Sequence, residues 1–472
     1  MEKRYNLLTA IAMVVGIVIG AGVFYKAQDV LNITNGNVLT GVLAWIVGGI
    51  IMIICGTTFA ILATKFSKIN GVVDYADATV GKKYGDFMAW FVATIYYPAV
   101  AGVMAWLCAR YTGVLFGWKL DSANVMTLGV LFLIGSYAIN ALAPRLAGHI
   151  QVSTTAIKLI PLGLLAIVGI IYGLCTTDVA YIWDPIKNEV VSTGTNQLQL
   201  LIENINFNLS FDFKSFLKAL VATAFAYEGW IIATSIAGEI KDSKKNLPRA
   251  LLIGTTITMV VYLFYYMGVL GGASLDVLMH GGAQYAFYQI FGEFFGNILN
   301  VFVVISCIGT LNGVMMACTR GFYTLAERGA CPKVKMFQRV DEETKMSGNS
   351  GIMGVFLAAI WFVYFVGANV SDNWFGFLKF DSSELPIVTI YVMYLPMMIM
   401  MIVKGHKDLG VAKGIVMPAL TILCSLFMIY AAIDKFRMEI IPYLVVFVLV
   451  MSVGLFFILR KPRSNINNVE GN

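Results

Sequence analysis

The 472-residue chain is 59% hydrophobic and 13% charged, with a mean hydropathy of +0.79 and a formal net charge of +6. This composition excludes a soluble globular class and leaves a polytopic membrane protein, since many apolar runs reach spanning length. The positive charge does not point to nucleic acid, because it collects in loops on one side of a membrane. No metal or cofactor is expected. Seven scattered cysteines (Cys55, Cys108, Cys175, Cys307, Cys318, Cys331, Cys424) and three distant histidines (His149, His280, His406) show neither metal spacing nor a disulfide framework.

The first apolar run, 7–31, is too long for a cleaved signal and lacks a cleavage site, so it reads as an uncleaved anchor. At its centre lie Gly16, Gly20, Ala21, Gly22, Val23 and Phe24. Three glycines in seven residues weaken a helix where a membrane helix most needs regularity. Backbone freed at mid-membrane is tolerated only where protein buries it or where it lines a cavity. The outer half of such a broken helix points free N–H groups and a positive dipole end into the gap, which suits a carboxylate. A packing face through Gly16 and Gly20 is the alternative. Hydropathy places eleven further spans at 38–64, 86–112, 123–141, 146–173, 214–238, 250–272, 295–325, 351–368, 383–403, 410–432 and 439–460.

A cytosolic N-terminus puts 23 of the 33 Lys and Arg on the cytosolic side, so both termini are expected there. The longest outer loop, about 176–212, is polar. Neither it nor the longest inner loop, 327–350, reads as a separate domain, and the short polar tail after Arg460 reads as disordered. The sixth span carries a second interruption, Phe225-Ala226-Tyr227-Glu228-Gly229-Trp230. Interruptions at spans 1 and 6 match an inverted five-plus-five repeat. The expected organisation is therefore an all-α membrane protein of twelve helices, with repeats at 7–173 and 214–403, two further helices over 410–460 and a cytosolic tail at 461–472. Two parallel six-helix halves give no reason for breaks at those places.

Gly20, Ala21, Gly22 and Val23 are expected to meet a substrate carboxylate, and the carbonyls of Phe225, Ala226 and Tyr227 its ammonium. A zwitterion satisfies both, so an amino acid is the simplest ligand. The rings of Phe225, Tyr227 and Trp230 are placed to close over it; plain packing is the alternative for each. Lys158 sits mid-span in helix 5, where snorkelling is difficult and a charge costs roughly 2.5–3.5 kcal/mol on insertion scales. Its ammonium can occupy a cation site made by span 1 and hydroxyls of span 8, carry a proton, or form a structural contact. Glu228 is a charge inside the second break. It can pair with a base, bind a cationic substrate, accept a proton, or cap the free N–H groups of the lower half-helix. Tyr262 in span 7, and Ser306, Thr310 and Asn312 in span 8, are polar groups expected to face the bundle. The inner stretches from Lys68 to Gly81 and from Glu239 to Arg249 read as loop geometry and gating surfaces, with plain solvated charge as the alternative.

Several of these residues also resemble a known family. Gly20-Ala21-Gly22-Val23-Phe24 is similar to the Gly-Ser-Gly-Ile-Phe motif in helix 1 of the amino acid–polyamine–organocation superfamily. Phe225 to Trp230, Glu239-Ile240 and Asn246-Leu247-Pro248-Arg249-Ala250 resemble helix 6 and the next loop of its L-type amino acid transporters. Ser306 to Gly313 with Arg320, and Lys68, Gly71, Tyr75 and Gly81, resemble the same subfamily, closest to bacterial exchangers of alanine, serine and cysteine. The likeness covers spans 1 to 8. It implies a LeuT-type fold, alternating access, a helix 5 lysine in place of sodium (matched by Lys158) and a helix 7 tyrosine (matched by Tyr262). Sodium-independent exchange is the family's habit. Three departures stand out. Ala21 replaces the usual Ser. Glu228 replaces a small residue, and some relatives with an acid there accept cationic amino acids. The loop between spans 3 and 4 lacks the cysteine that links animal relatives to a glycoprotein subunit, and Cys108 within span 3 is a poor substitute.

The resulting expectation is a plasma-membrane antiporter for small neutral L-amino acids, independent of sodium and of a disulfide-linked heavy subunit, with membrane lipid as its other partner. Proton-coupled uptake of amino acids, including cationic ones, or of polyamines is the alternative. A channel needs a continuous pore, and a membrane enzyme needs a catalytic cluster that the sequence lacks.

Overall fold

The computed structural model describes residues 6–66, 71–176, 178–187, 189–196, 199–233, 240–344 and 346–460. Lys68, Glu239 and the tail after Arg460 lie outside these described residues.

Asn6 starts the first helix by accepting the Thr9 N–H on its side chain at 2.8 Å. Helix α1 (Leu7–Val18) then stops, and α2 (Gly22–Ile33) begins without a side-chain cap. The first span is therefore two half-helices separated by Ile19, Gly20 and Ala21, inside the stretch where the glycines predict the break. After α3 (Val38–Lys65) and α4 (Val72–Thr79), α5 (Lys82–Leu115) runs through a π turn at Val92–Tyr96. Next come α6 (Ala123–Leu142) and α7 (Pro144–Leu164), the latter continued through a π turn to Cys175.

The polar stretch at 176–212 holds structure that hydropathy does not reveal. Strands β1 (Asp178–Asp184) and β2 (Glu189–Asn196) form an antiparallel hairpin, followed by α8 (Leu200–Asn206). Asp212 caps α9 (Phe213–Ala226); hydrogen bonds from the Ser215 hydroxyl and the Lys214 and Ser215 N–H groups hold its carboxyl below the usual range. A turn at Tyr227–Gly229 separates α9 from α10 (Trp230–Ala233), and Gly229 takes φ +106°, open to glycine at little cost. The second expected break is therefore present.

The remaining helices are α11 (Ser243–Gly272), α12 (Leu275–Gly281), α13 (Gln284–Glu327), α14 (Val334–Gln338), α15 (Gly348–Phe365), α16 (Leu385–Val411), α17 (Met417–Phe436) and α18 (Ile440–Arg460). Helix α13 starts earlier than the expected 295, because it continues through a bend at Gly292 (φ +73°). Nine helical stretches among the described residues are long and apolar enough to cross a membrane. One of them, Leu409–Arg460, folds at Arg437 (φ +45°) into α17 and α18, and the two broken spans are too short to count.

The core is built from α1, α3, α9 and α11 packed together, flanked by α13 against α5 and α7, with α15 against α5. The face where α1 begins is called here the N-terminal face and the opposite one the far face. The hairpin covers α12 at the far face, where Trp183 stacks on His280 at 4.3 Å.

Candidate substrate site

The end of α1 defines the site. The last carbonyls of a helix have no partner within it; here one is bonded by the helix's own C-cap and two find partners on other helices. Val15 accepts from Ile19 N at 2.9 Å, Gly16 accepts from Lys158 Nζ, and Val18 accepts from the Tyr262 hydroxyl at 3.1 Å. Tyr262 also reaches the Ala226 carbonyl at the end of α9, again at 3.1 Å, and its oxygen accepts the Gly20 N–H. A single buried hydroxyl thus joins the break in span 1 to the break in span 6. It is held in place by Trp45 and Tyr227, whose rings lie 5.8 and 5.2 Å from its own.

The two breaks touch. A Cβ built on Gly22 would stand 2.9 Å from Ala226 Cα and 3.2 Å from the Phe225 carbonyl oxygen, so only glycine permits this approach. Gly20 faces Thr310 of α13. Ala21, Val23 and Ala226 are buried beside them. The expected site residues of span 1 and the backbone of span 6 therefore converge. The aromatic rings separate. Phe225 lies toward the far face under the Lys26 ammonium (5.3 Å) and beside Tyr25 (6.5 Å). Tyr227 turns to helix α3 and donates to the Trp45 carbonyl at 2.9 Å. Trp230 packs on Phe59 and Tyr394.

Lys158 is 2% exposed and lies fourteen positions into α7 from Pro144, about 21 Å along the axis. Helices α7 and α13 run antiparallel: Asn312 donates to the Ala147 carbonyl at 3.0 Å, and Thr154 lies against Gly309. Continuing that register sets Ser306 at about the level of Lys158, one turn from Gly309. The Ser306 hydroxyl is buried and has no hydrogen-bond partner among the described residues. Asn312 instead ties α13 to the α6–α7 corner, since Asn140 also donates to its side chain at 2.9 Å.

Glu228 meets the Tyr96 hydroxyl and the Gly229 N–H, while its Oε1 is buried without a partner. Tyr97, Tyr391, Tyr394 and Cys55 surround it, and no ion pair reaches it among the described residues. The Gly229 contact is the capping arrangement; a pairing with a basic side chain is not formed.

The site is closed on one side and approached on the other. On the far side, Glu384 accepts from Lys26 at 2.7 Å and from Lys435 at 2.6 Å, and Lys26 also meets Asp29 at 2.7 Å; Lys26 and Glu384 are 1% and 2% exposed. Arg110 lies over the Tyr25 and Trp106 rings and donates to Gln28, which in turn donates to the Met279 carbonyl of α12. A cavity of about 340 Å³ beyond these groups has Tyr25 and Trp106 in its wall. On the N-terminal side a cavity of about 220 Å³ reaches Tyr97, Ile231 and Gly313, three residues from Thr310. Sequence reasoning overlooked Lys26, Arg110 and Glu384, although each is a charge within or at the edge of an apolar run, which is the available signal.

A family model described as amino acid permease matches residues 5–455. The serine/threonine exchanger SteT of Bacillus subtilis (strain 168) is 29% identical over 343 residues, 72% of this chain and 72% of its own length. The large neutral amino acids transporter small subunit 2 of Oryctolagus cuniculus is 27% identical over 341 residues, 71% of this chain but 59% of its own length, so this chain matches less than two thirds of that relative. The b(0,+)-type amino acid transporter 1 of Mus musculus is 23% identical over 447 residues, 92% of this chain and 83% of its own. The relatives are transporters rather than enzymes. With a match across nearly its whole length and several helical stretches long and apolar enough to span a membrane, this multi-pass membrane protein belongs to the amino acid permease family of the amino acid–polyamine–organocation superfamily.

Proposed function

We propose that the protein exchanges small neutral L-amino acids across the plasma membrane, without sodium, by alternating access. The observation that carries this reading is the Lys158 ammonium seated on the Gly16 carbonyl at the end of α1. A carbonyl freed by a broken helix is what a monovalent cation coordinates. A fixed ammonium fills that role and makes a soluble sodium ion unnecessary. The α-carboxylate is assigned to the N–H groups at the start of α2, around Gly20, Ala21, Gly22 and Val23, and the α-ammonium to the carbonyls from Phe225 to Tyr227.

The twelve-span organisation with inverted repeats at 7–173 and 214–403 belongs to the same proposal. It is supported by the pairing of helices equivalent under that repeat: α3 with α11, and α5 with α13. The N-terminal face is assigned to the cytosol on the distribution of Lys and Arg. The protein is proposed to work without a disulfide-linked heavy subunit. Cys108 is fully buried in α5, and the exposed cysteine, Cys175, ends helix 5 rather than lying between spans 3 and 4.

A second reading, proton-coupled uptake that includes cationic substrates, is favoured by the unpartnered Glu228 oxygen. Labelled alanine uptake into proteoliposomes, without sodium or a pH gradient, separates the two. Uptake confined to vesicles preloaded with alanine supports exchange. Uptake into empty vesicles that rises with an inward proton gradient supports the second reading. No alanine uptake in either directs attention to basic amino acids and polyamines. Under the second reading Glu228→Gln removes the pH dependence or the preference for cationic substrates; under the first it changes neither, as expected of a capping group.

A further inference from the structure

The cavity on the N-terminal face has one charged residue in its wall, Arg320. Around it stand Val72, Val73, Val92 and Ala317, with Tyr97 and Gly313 at the end nearest the broken helices. Among the described residues Arg320 forms no hydrogen bond or ion pair. Three acids of that face are engaged by a different arginine just past the end of the same helix: Arg328 meets Asp86 at 2.6 Å, Asp77 at 3.1 Å and Asp74 at 3.7 Å. Asp74, Asp77 and Asp86 are thus drawn to Arg328, about two turns beyond Arg320 along the chain.

Arg320 is solvent-exposed, and its guanidinium is the charge at the edge of an otherwise apolar cleft. Low-dielectric walls focus its field, and such clefts raise the local concentration of an opposite charge by roughly 10- to 1000-fold. Guanidinium also offers paired donors that match a carboxylate's two oxygens. At about 220 Å³ the cavity holds the equivalent of roughly seven waters at ~30 Å³ each, enough for a small amino acid.

We propose that Arg320 makes this cavity a second, transient binding site for an amino acid carboxylate, occupied between the broken helices and the N-terminal face. The assignment of an amino acid rests on the transport reading above; the anion site itself rests on Arg320 and the cavity. Loss of Arg320 then weakens substrate capture from this face and leaves capture from the far face unchanged.

The test introduces Ala317→Cys in the full-length protein and compares its labelling by an anionic sulfonate thiosulfonate reagent with that by a cationic trimethylammonium one. Rates are corrected for the parent protein's native cysteines. With Arg320 present, the anionic reagent reacts faster relative to the cationic. Arg320→Gln lowers that ratio at least fivefold, and Arg320→Lys retains most of it. In proteoliposomes of defined orientation, Arg320→Gln raises the half-saturating alanine concentration at the N-terminal face several-fold, without change at the far face. An unchanged labelling ratio overturns the proposal, as does a fallen ratio with unchanged half-saturation on both faces. If the parent protein exchanges no alanine at all, the transport reading fails, and the labelling ratio still decides whether the anion site exists.

Discussion

Two side chains hold the centre of the molecule, and each makes a prediction. Removing the Tyr262 hydroxyl leaves the Val18 and Ala226 carbonyls without their donor and the Gly20 N–H without its acceptor. Unsatisfied buried groups cost about 1–3 kcal/mol each. Tyr262→Phe is therefore expected to slow exchange roughly tenfold or more while the fold persists, because the ring still packs on Trp45 and Tyr227. Exchange rate and melting temperature measured together check this; an equal loss of both points to a structural role alone. Lys158→Ala removes the donor to Gly16. A hydrogen bond from a charged group contributes about 1.5–3 kcal/mol, equivalent to roughly 10- to 100-fold in an equilibrium. The expected result is a matching fall in exchange, or a changed ratio of the two half-saturating concentrations, in a protein that still folds. Unchanged kinetics on both faces sinks the cation-substitute role.

At the scale of elements, the contact between the two breaks depends on Gly22. A methyl at this position meets backbone rather than a movable side chain, since the nearest atoms are Ala226 Cα and the Phe225 carbonyl oxygen. Gly22→Ala is expected to push α2 from α9 and abolish exchange, whereas the Ser that the family resemblance supplies at position 21 should be tolerated in Ala21→Ser. Purified yield, with substrate-induced thermal stabilisation as the binding readout, distinguishes lost binding from lost fold. Both breaks were legible in the sequence, because glycine in a long apolar run conflicts with helix propensity and the conflict has to be resolved structurally. Lys158 was legible for the same reason, as a charge far from either helix end. The orientation of the rings was not. Tyr227 and Trp230 are three residues apart, yet the turn at Gly229 sends one to Trp45 and the other to Phe59. Nor was the hairpin legible: its strands are only seven and eight residues long, and it depends on contacts with α12 and Gln289 of α13, far along the chain. Hydropathy reports the lipid-facing average of a segment and carries no information on such pairings.

Across the whole molecule, the far side is held shut by charge. Glu384 at the start of α16 joins Lys26 of α2 to Lys435 near the end of α17. The second half of the first span is thereby fastened to a helix that lies outside the two proposed repeats, which under the proposed mechanism would give α17 a part in gating. Under the proposed alternating access α2 leaves this position, and the ionic knot would break and reform in each cycle. Removing one member of a buried pair costs about 3–5 kcal/mol, because the remaining charge is left uncompensated. Opening to the far face relieves that cost by letting water reach the lysines, so the mutation biases the open form. About 3 kcal/mol multiplies a population ratio by roughly 100. Glu384→Gln is therefore expected to favour the state open to the far face. In a Val370→Cys background, whose side chain lines the far cavity, a membrane-impermeant thiol reagent added from that side should react at least tenfold faster. An Ala317→Cys background on the opposite side should react more slowly. Faster labelling at both positions indicates general loosening rather than a shifted gate. Unchanged labelling at both means that the rings of Tyr25 and Phe225, rather than the charges, hold the far side closed.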